Sequence, residues 1–364
     1  MTEERPRVPT RAYWHGKRVL LTGHTGFKGS WLAAWLQELG AETAGLSLPE
    51  PVTDPALWDS LGVDLALDLR ADICSESWKG AVADFDPQVV LHLAAQPLVS
   101  EGFAAPYRTF ATNVLGTANL LDTVPSLASV EAVLVATTDK VYDSTGPTPY
   151  DERSRLGGKD PYSASKVGAE LVVGSWPAVG CPVVTARAGN VIGGGDWGSN
   201  RLVPDLVRGW SAGATVELRH PDATRPWQHV LEPLSGYLVY VEALAAKPSL
   251  PRTMNFGPSA QQAVSVREVV DLAAREWATS FEVPTPASVV RPKPSMVETE
   301  ALTIDSVQAT EVLGWRSRLD WQAAVSMAVD WYVQFRRGAD ASAVLLEQLR
   351  AYACLATEDV DEHR

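Results

Sequence analysis

Residues 17–36, Lys-Arg-Val-Leu-Leu-Thr-Gly-His-Thr-Gly-Phe-Lys-Gly-Ser-Trp-Leu-Ala-Ala-Trp-Leu, restrict this chain more than any other stretch. An apolar run over 19–21 leads into Gly23, Gly26 and Gly29, and then into Trp31, Leu32, Trp35 and Leu36 at helical spacing. The pattern predicts a strand, a glycine turn and a helix. Glycines at this spacing let backbone amides close on a pyrophosphate that a Cβ would hold away, and the helix that follows turns its positive N-terminus to the same charge. An ordinary strand-to-helix turn also uses glycines; the strand, loop and helix context is what favours the nucleotide.

The rest of the composition narrows the ligand. A chain of 364 residues that is 46% hydrophobic has material for one large domain or two ordinary ones. Its formal charge of −13 opposes a phosphate backbone, so the expected partner is a small molecule and not a nucleic acid. Cys74, Cys181 and Cys354 are widely spaced and form no Cys-x-x-Cys pair, which predicts neither a disulfide framework nor a metal site and suits a reducing cytoplasm. No apolar stretch reaches transmembrane length and the N-terminus lacks a signal-peptide core, so no membrane partner is expected. Residues 1–13 read as a loose tail.

Over 14–182 short apolar runs alternate with helical patterns, the signature of an α/β fold, here a Rossmann-type doubly wound parallel sheet. The second strand is expected at 42–46, followed by Ser47, Leu48, Pro49 and only then Glu50. An acid at that strand end would select NAD, and its displacement leaves NAD and NADP both open. A third strand at 65–69 leads to Asp72 and Ile73, and a fourth at 88–93 leads to Ala94, Ala95 and Gln96. The two alanines either face a cofactor or pack beneath a helix. A fifth strand at 132–136 ends in Thr137-Thr138-Asp139-Lys140, a hydroxyl, a carboxyl and an amine delivered where open parallel sheets bind ligands. Tyr162 and Lys166 stand one turn apart on one helix face, and a nearby cation draws a tyrosine down from its usual value of about 10. Tyr13 and Lys17 share that spacing but precede the first strand, so context selects Tyr162.

Residues 183–340 are less regular and predict a smaller, mixed α/β substrate domain interleaved with the last strands of the sheet. Asn190, in a glycine-rich loop over 190–197, either orients a phosphate or closes a turn. Arg201 and Arg225 carry permanent charges whose fork matches phosphate oxygens, with a surface ion pair as the alternative use of each. His229, on an apolar stretch, reads as a hydrogen-bonded core histidine. Residues 301–305 and a helix ending at Gly314 close this region, and 341–364 read as a helix followed by an acidic tail over 358–362.

The glycine loop, Thr138, Tyr162 and Lys166, in this order, resemble the extended short-chain dehydrogenases/reductases along nearly the whole chain. Within that superfamily, Gly-His-Thr-Gly-Phe-Lys-Gly-Ser-Trp at 23–31, Thr-Asp-Lys at 138–140, Arg-Ala-Gly-Asn-Val-Ile-Gly-Gly-Gly-Asp-Trp at 187–197 and Ala-Thr-Arg-Pro-Trp-Gln-His-Val at 223–230 resemble the CDP-glucose 4,6-dehydratases. Most 4,6-dehydratases of other nucleotide classes carry Asp-Glu where this chain has Asp139-Lys140. The resemblance implies a nicotinamide cofactor held by Gly23, Thr25, Gly26, Phe27, Lys28, Gly29, Asp72, Ile73, Leu93, Ala94, Ala95, Gln96, Asn113, Tyr162 and Lys166. It places a sugar nucleotide against Asn190, Arg201, Leu202 and Arg225, with Thr138, Asp139, Lys140, Tyr162 and Lys166 as the catalytic set, no metal, and a homodimer.

The implied reaction oxidises C4, eliminates water across C5 and C6, and returns hydride to C6. Asp139 and Lys140 are the implied acid and base. Lysine is a base only when neutral; protonated, it would steady an enolate and leave both proton transfers to Asp139. The base of the nucleotide is implied by resemblance alone. A dTDP- or UDP-sugar dehydratase, an epimerase, decarboxylase or reductase would share Tyr162 and Lys166, whereas a non-catalytic nucleotide-binding protein could dispense with the tyrosine.

Overall fold

The apolar runs become strands of one seven-stranded sheet in which every neighbouring pair is parallel. The structure is a computed structural model and describes residues 6–145, 149–258, 264–290 and 302–355. Its strands are β1 (Arg18–Thr22), β2 (Glu42–Ser47), β3 (Leu67–Arg70), β4 (Val89–His92), β5 (Ala132–Ala136), β6 (Val183–Ala188) and β7 (Thr253–Phe256). Their order across the sheet is β7-β6-β5-β4-β1-β2-β3. Winding reverses between β1 and β4, so the loops after these two strands diverge and open a crevice at their carboxyl ends. β4 and β5 are buried throughout because helices cover both faces, which is why they read as unbroken apolar runs.

Helix α1 (Phe27–Leu39) follows the glycine turn and ends at Gly40, whose φ of +81° is the left-handed cap that favours glycine. Its Trp31, Leu32, Trp35 and Leu36 are all within 3% of full burial, each contributing roughly 1.5–3 kcal/mol. Helix α2 (Pro161–Ser175) begins where Asp160 accepts from Ser163 N at 3.0 Å and Pro161 occupies the first turn, two start signals in succession. These helices carry the two motifs that define the site.

Past residue 188 the chain adds α3 (Leu202–Ser211), α4 (Leu231–Ala246), α5 (Val266–Phe281), α6 (Trp321–Arg336) and α7 (Ala341–Cys354), with three two-stranded sheets. Two of those small sheets are parallel and one, Thr224–Arg225 with Val264–Ser265, is antiparallel. The expected helix stop at Gly314 is present, at φ +68° after the helix Val307–Leu313. Helix α7 packs on α1, with Tyr352 edge-on to Trp35 at 5.9 Å.

The segment read as a loose tail is held from Arg7 onward. Arg7 N donates to Gly314 O at 2.8 Å, while Thr10 N and Trp14 Nε1 donate to the buried Glu242 Oε1 at 2.6 and 2.8 Å. Glu242 lies on α4, more than 200 residues away in sequence, so no local pattern announces the anchor. Residues 1–5, Ala301 and the acidic stretch 358–362 lie outside the described residues.

Candidate active site

The glycine turn lies at the switch point. Gly23 adopts φ +78°, and a Cβ there would stand 2.7 Å from Ala94 N at the end of β4; a Cβ on Gly29 would stand 2.0 Å from Gly23 O. Both glycines are therefore required by close backbone packing. Gly26 caps α1 without a side-chain hydrogen bond, and the first turn holds no acidic residue. Such a helix start leaves backbone N–H groups and a positive dipole end for an anion, which fits the diphosphate of a dinucleotide.

From this turn runs a cleft of about 2100 Å³, lined by every site residue expected from the sequence except Asn113. Asn113 is 2% exposed in a π-helical turn, Ala111–Leu115. Its Oδ1 accepts from Gln96 N at 2.8 Å, and its Nδ2 donates to Gln96 O at 3.1 Å and to Ser165 Oγ at 2.8 Å. With those bonds Asn113 braces the Gln96 wall against α2 and stands behind the cleft lining. At the far end of β2, Ser47 Oγ accepts from Thr25 N at 3.2 Å, tying the glycine loop to the second strand, a contact the sequence reading missed.

The reactive groups converge between β5 and α2. Thr138 accepts from Lys140 N at 3.3 Å and donates Oγ1 to Asp139 Oδ1 at 3.0 Å. Asp139 is 1% exposed, and its Oδ2 has no hydrogen-bond partner among the described residues. Burial pushes this carboxyl above the usual range, against the pull of Lys140, Arg225 and Lys28. On α2, Lys166 Nζ donates to Ala136 O at 3.0 Å, and burial draws the amine down to about 8 against the opposing charge of Glu170. Lys28, from the glycine loop, donates to Tyr237 Oη at 3.4 Å. Burial, with the charges of Arg201 and Lys166, lowers it to about 7.

Tyr162 departs from expectation. Burial pushes its phenol up to about 12, and what opposes the rise is a hydrogen bond with Thr138 and the charge of Arg201. Lys166 is committed to Ala136 O, so proximity along the helix does not translate into a lowered phenol.

Toward the other end of the cleft, Arg201 lines the wall and pairs with Asp196 at 3.0 Å, the ion pair that the sequence left as its alternative use. Arg225 is 3% exposed and donates to Thr224 O at 2.7 Å. Asn190 also borders the cleft, while its carbonyl accepts from Gln228 N at 3.0 Å. Arg208 and Arg219 line the same end and were missed; the strand Val216–Leu218 immediately before Arg219 was the available signal. His229 lies away from the cleft, fully buried, edge-on to Trp31 at 5.5 Å, and burial draws it down to about 3, a neutral core histidine. Lys17 is likewise remote, paired with Glu131 at 2.7 Å.

Comparison with known proteins agrees with this arrangement. The GDP-mannose 4,6 dehydratase family profile matches residues 20–328. A CDP-glucose 4,6-dehydratase of Salmonella typhimurium is 39% identical over 342 residues, covering 90% of this chain and 94% of that protein. The human dTDP-D-glucose 4,6-dehydratase is 24% identical, over 87% of this chain and 90% of its own length. Among solved structures, an epimerase of Methanothermobacter thermautotrophicus superposes with a TM-score of 0.77 at 21% identity, covering 90% of this chain and 95% of that one. A dTDP-glucose 4,6-dehydratase of Bacillus anthracis, solved in complex with NAD, gives 0.72 at 19% identity, covering 91% and 100%. These two establish the fold. With the family match spanning most of the chain and the sheet, glycine turn and reactive groups in one cleft, the chain belongs to the GDP-mannose 4,6 dehydratase family of extended short-chain dehydrogenases/reductases.

Proposed function

We propose that this chain is an NAD-dependent CDP-glucose 4,6-dehydratase, a hydro-lyase that forms CDP-4-keto-6-deoxyglucose. The observation that carries the reading is the single cleft in which the glycine turn, Thr138-Asp139-Lys140 and Tyr162 with Lys166 meet; identity to the Salmonella enzyme supports the choice of nucleotide. Tyr162, as phenolate, takes the proton of the C4 hydroxyl, and Thr138 hydrogen-bonds the same oxygen. The glycine turn and Lys166 would hold a nicotinamide dinucleotide beside Tyr162, and that group, when bound, would supply a reversible hydride acceptor and a positive charge near the phenol. The C4 ketone acidifies C5. Lys140 removes the C5 proton, and Asp139, which burial biases toward its protonated form, gives a proton to the departing C6 hydroxyl. Water leaves, C5 regains a proton from Lys140 as hydride adds at C6, and no net oxidation results.

NAD is preferred to NADP on charge. The cleft lining beyond the ends of β2 and β3 includes Glu50, Asp54 and Asp72, which disfavour a 2′-phosphate, and Arg70, the last residue of β3, is paired with Asp68 at 2.8 Å. A homodimer is part of the same reading. Phe103, Tyr107, Leu115 and Leu171 are each more than half exposed on adjacent helices, an apolar face suited to a second copy. Cys74, Cys181 and Cys354 form no disulfide among the described residues, which suits a reducing cytoplasm. No helix among the described residues is long and apolar enough to cross a membrane.

The test is turnover of CDP-glucose with NAD+ in heavy water, followed by mass spectrometry and proton NMR. Loss of water with one deuterium at C5 and no build-up of NADH is expected. Turnover of dTDP- or UDP-glucose in its place would reassign the nucleotide, and inertness toward all three would overturn the dehydratase reading.

A further inference from the structure

The segment 138–140 is bracketed by two side chains tied to one buried ion pair. Glu170, on α2 one turn beyond Lys166, accepts from Thr137 Oγ1 at 2.5 Å and from Arg187 Nε and Nη2 at 2.9 Å each. Arg187, on β6, donates Nη1 to Tyr142 Oη at 2.9 Å and lies 5.0 Å over the Tyr142 ring. Thr137 immediately precedes Thr138, and Tyr142 follows Lys140 by two residues. Both charged side chains are only 4% exposed. In a medium of low dielectric such bonds hold geometry stiffly, and the helix that carries Glu170 also carries Tyr162 and Lys166.

We propose that the Glu170–Arg187 pair is the positioning element of the elimination step, setting Asp139 and Lys140 over the same substrate that Tyr162 oxidises. The role rests on the dehydratase reading above. Glu170 and Arg187 line no part of the cleft, so they act through Thr137 and Tyr142 and not on substrate. The two halves of the reaction depend on different residues: C4 oxidation on Tyr162 and Thr138, elimination on Asp139 and Lys140. The bracketed segment holds both residues of the elimination half but only Thr138 of the oxidation half, whose Tyr162 sits on α2, so loosening the bracket slows the second half more than the first.

The experiment uses the NAD-loaded enzyme with CDP-glucose. Thr137→Val and Tyr142→Phe each release one flank and leave the ion pair in place, while Glu170→Gln breaks the pair itself. In Glu170→Gln, kcat is expected to fall by roughly 10²-fold with KM unchanged, since small misplacements of reacting groups cost on that scale. The two flank variants lose less. In all three NADH accumulates during turnover, because C4 oxidation outruns elimination. A lowered kcat without NADH build-up, or unchanged kcat in folded Thr137→Val and Tyr142→Phe, would overturn the positioning role; these two variants decide the matter if Glu170→Gln fails to fold. A parent enzyme inert toward every sugar nucleotide overturns the dehydratase reading, and this role with it.

Discussion

Helix α2 carries two buried charged clusters one turn apart, and they are satisfied in opposite ways. Around Glu170 the accounts are complete: Thr137, Thr185 and the Nε and Nη2 of Arg187 donate to the carboxylate, and Tyr142, which accepts from Arg187 Nη1, donates on to Asn255. Around Lys166 they are open. Asp139 keeps an oxygen without a partner among the described residues, while Lys28 and Lys166 are drawn well below the ordinary 10.5 of a lysine. Burial is costly in both places, but only the first cluster offsets the cost with pairing. An unpaired buried acid and two easily neutralised amines suit proton exchange, so under the proposed mechanism the difference separates a structural cluster from a reactive one.

Mutations on the two sides should therefore fail differently. The largest effect is expected from Tyr162→Phe, which removes the group that in the proposed mechanism takes the C4 proton: kcat should fall by roughly 10²–10⁴-fold while the melting temperature holds. A large loss of stability instead would move Tyr162 into the structural cluster. Arg187→Met should do the reverse, leaving the buried Glu170 with only the Thr137 and Thr185 hydroxyls and no countercharge, at a cost of about 3–5 kcal/mol in urea unfolding. Its counterpart, Asp139→Asn, should lose about 10²-fold in kcat with no loss of stability, because an amide does not carry the charge that burial disfavours.

The smallest effect concerns pH and Lys28. The folded chain releases this proton at about 7 and the unfolded chain near 10.5, so between those limits the unfolded chain binds more protons and stability from this group rises with pH. Below about 7 the penalty is complete. Lys28→Met should be more stable than the parent there, by calorimetry, with the advantage fading toward 10.5. An advantage that grows with pH would show that Lys28 is well paired and belongs with the satisfied groups.

Much of the fold was legible because its signals are local. The expected strand at 132–136 is β5 to the residue, the second strand differs by one residue, and the third begins later, at Leu67. Apolar runs, glycine turns and helix starts depend on neighbours within a few positions, where sequence spacing and distance agree. The site was legible as a list of motifs, and twenty-one of its expected members do meet in one cleft while Asn113 stands behind the wall. What was not legible is how each group is held. Nothing near Lys166 in sequence says that its amine goes to Ala136 O, so the phenol was expected to fall and instead rises to about 12.

The sequence by itself determined the glycine turn, the parallel α/β order and the tyrosine and lysine one turn apart, since each is set by bond geometry and a periodicity of two or 3.6 residues. Only the tertiary structure decided which charges are paired and which are left to react. Lys28 meets Tyr237 across 209 residues, and Thr10 meets Glu242 across 232. Desolvation belongs to the whole packing around an atom, and no short stretch of chain contains it.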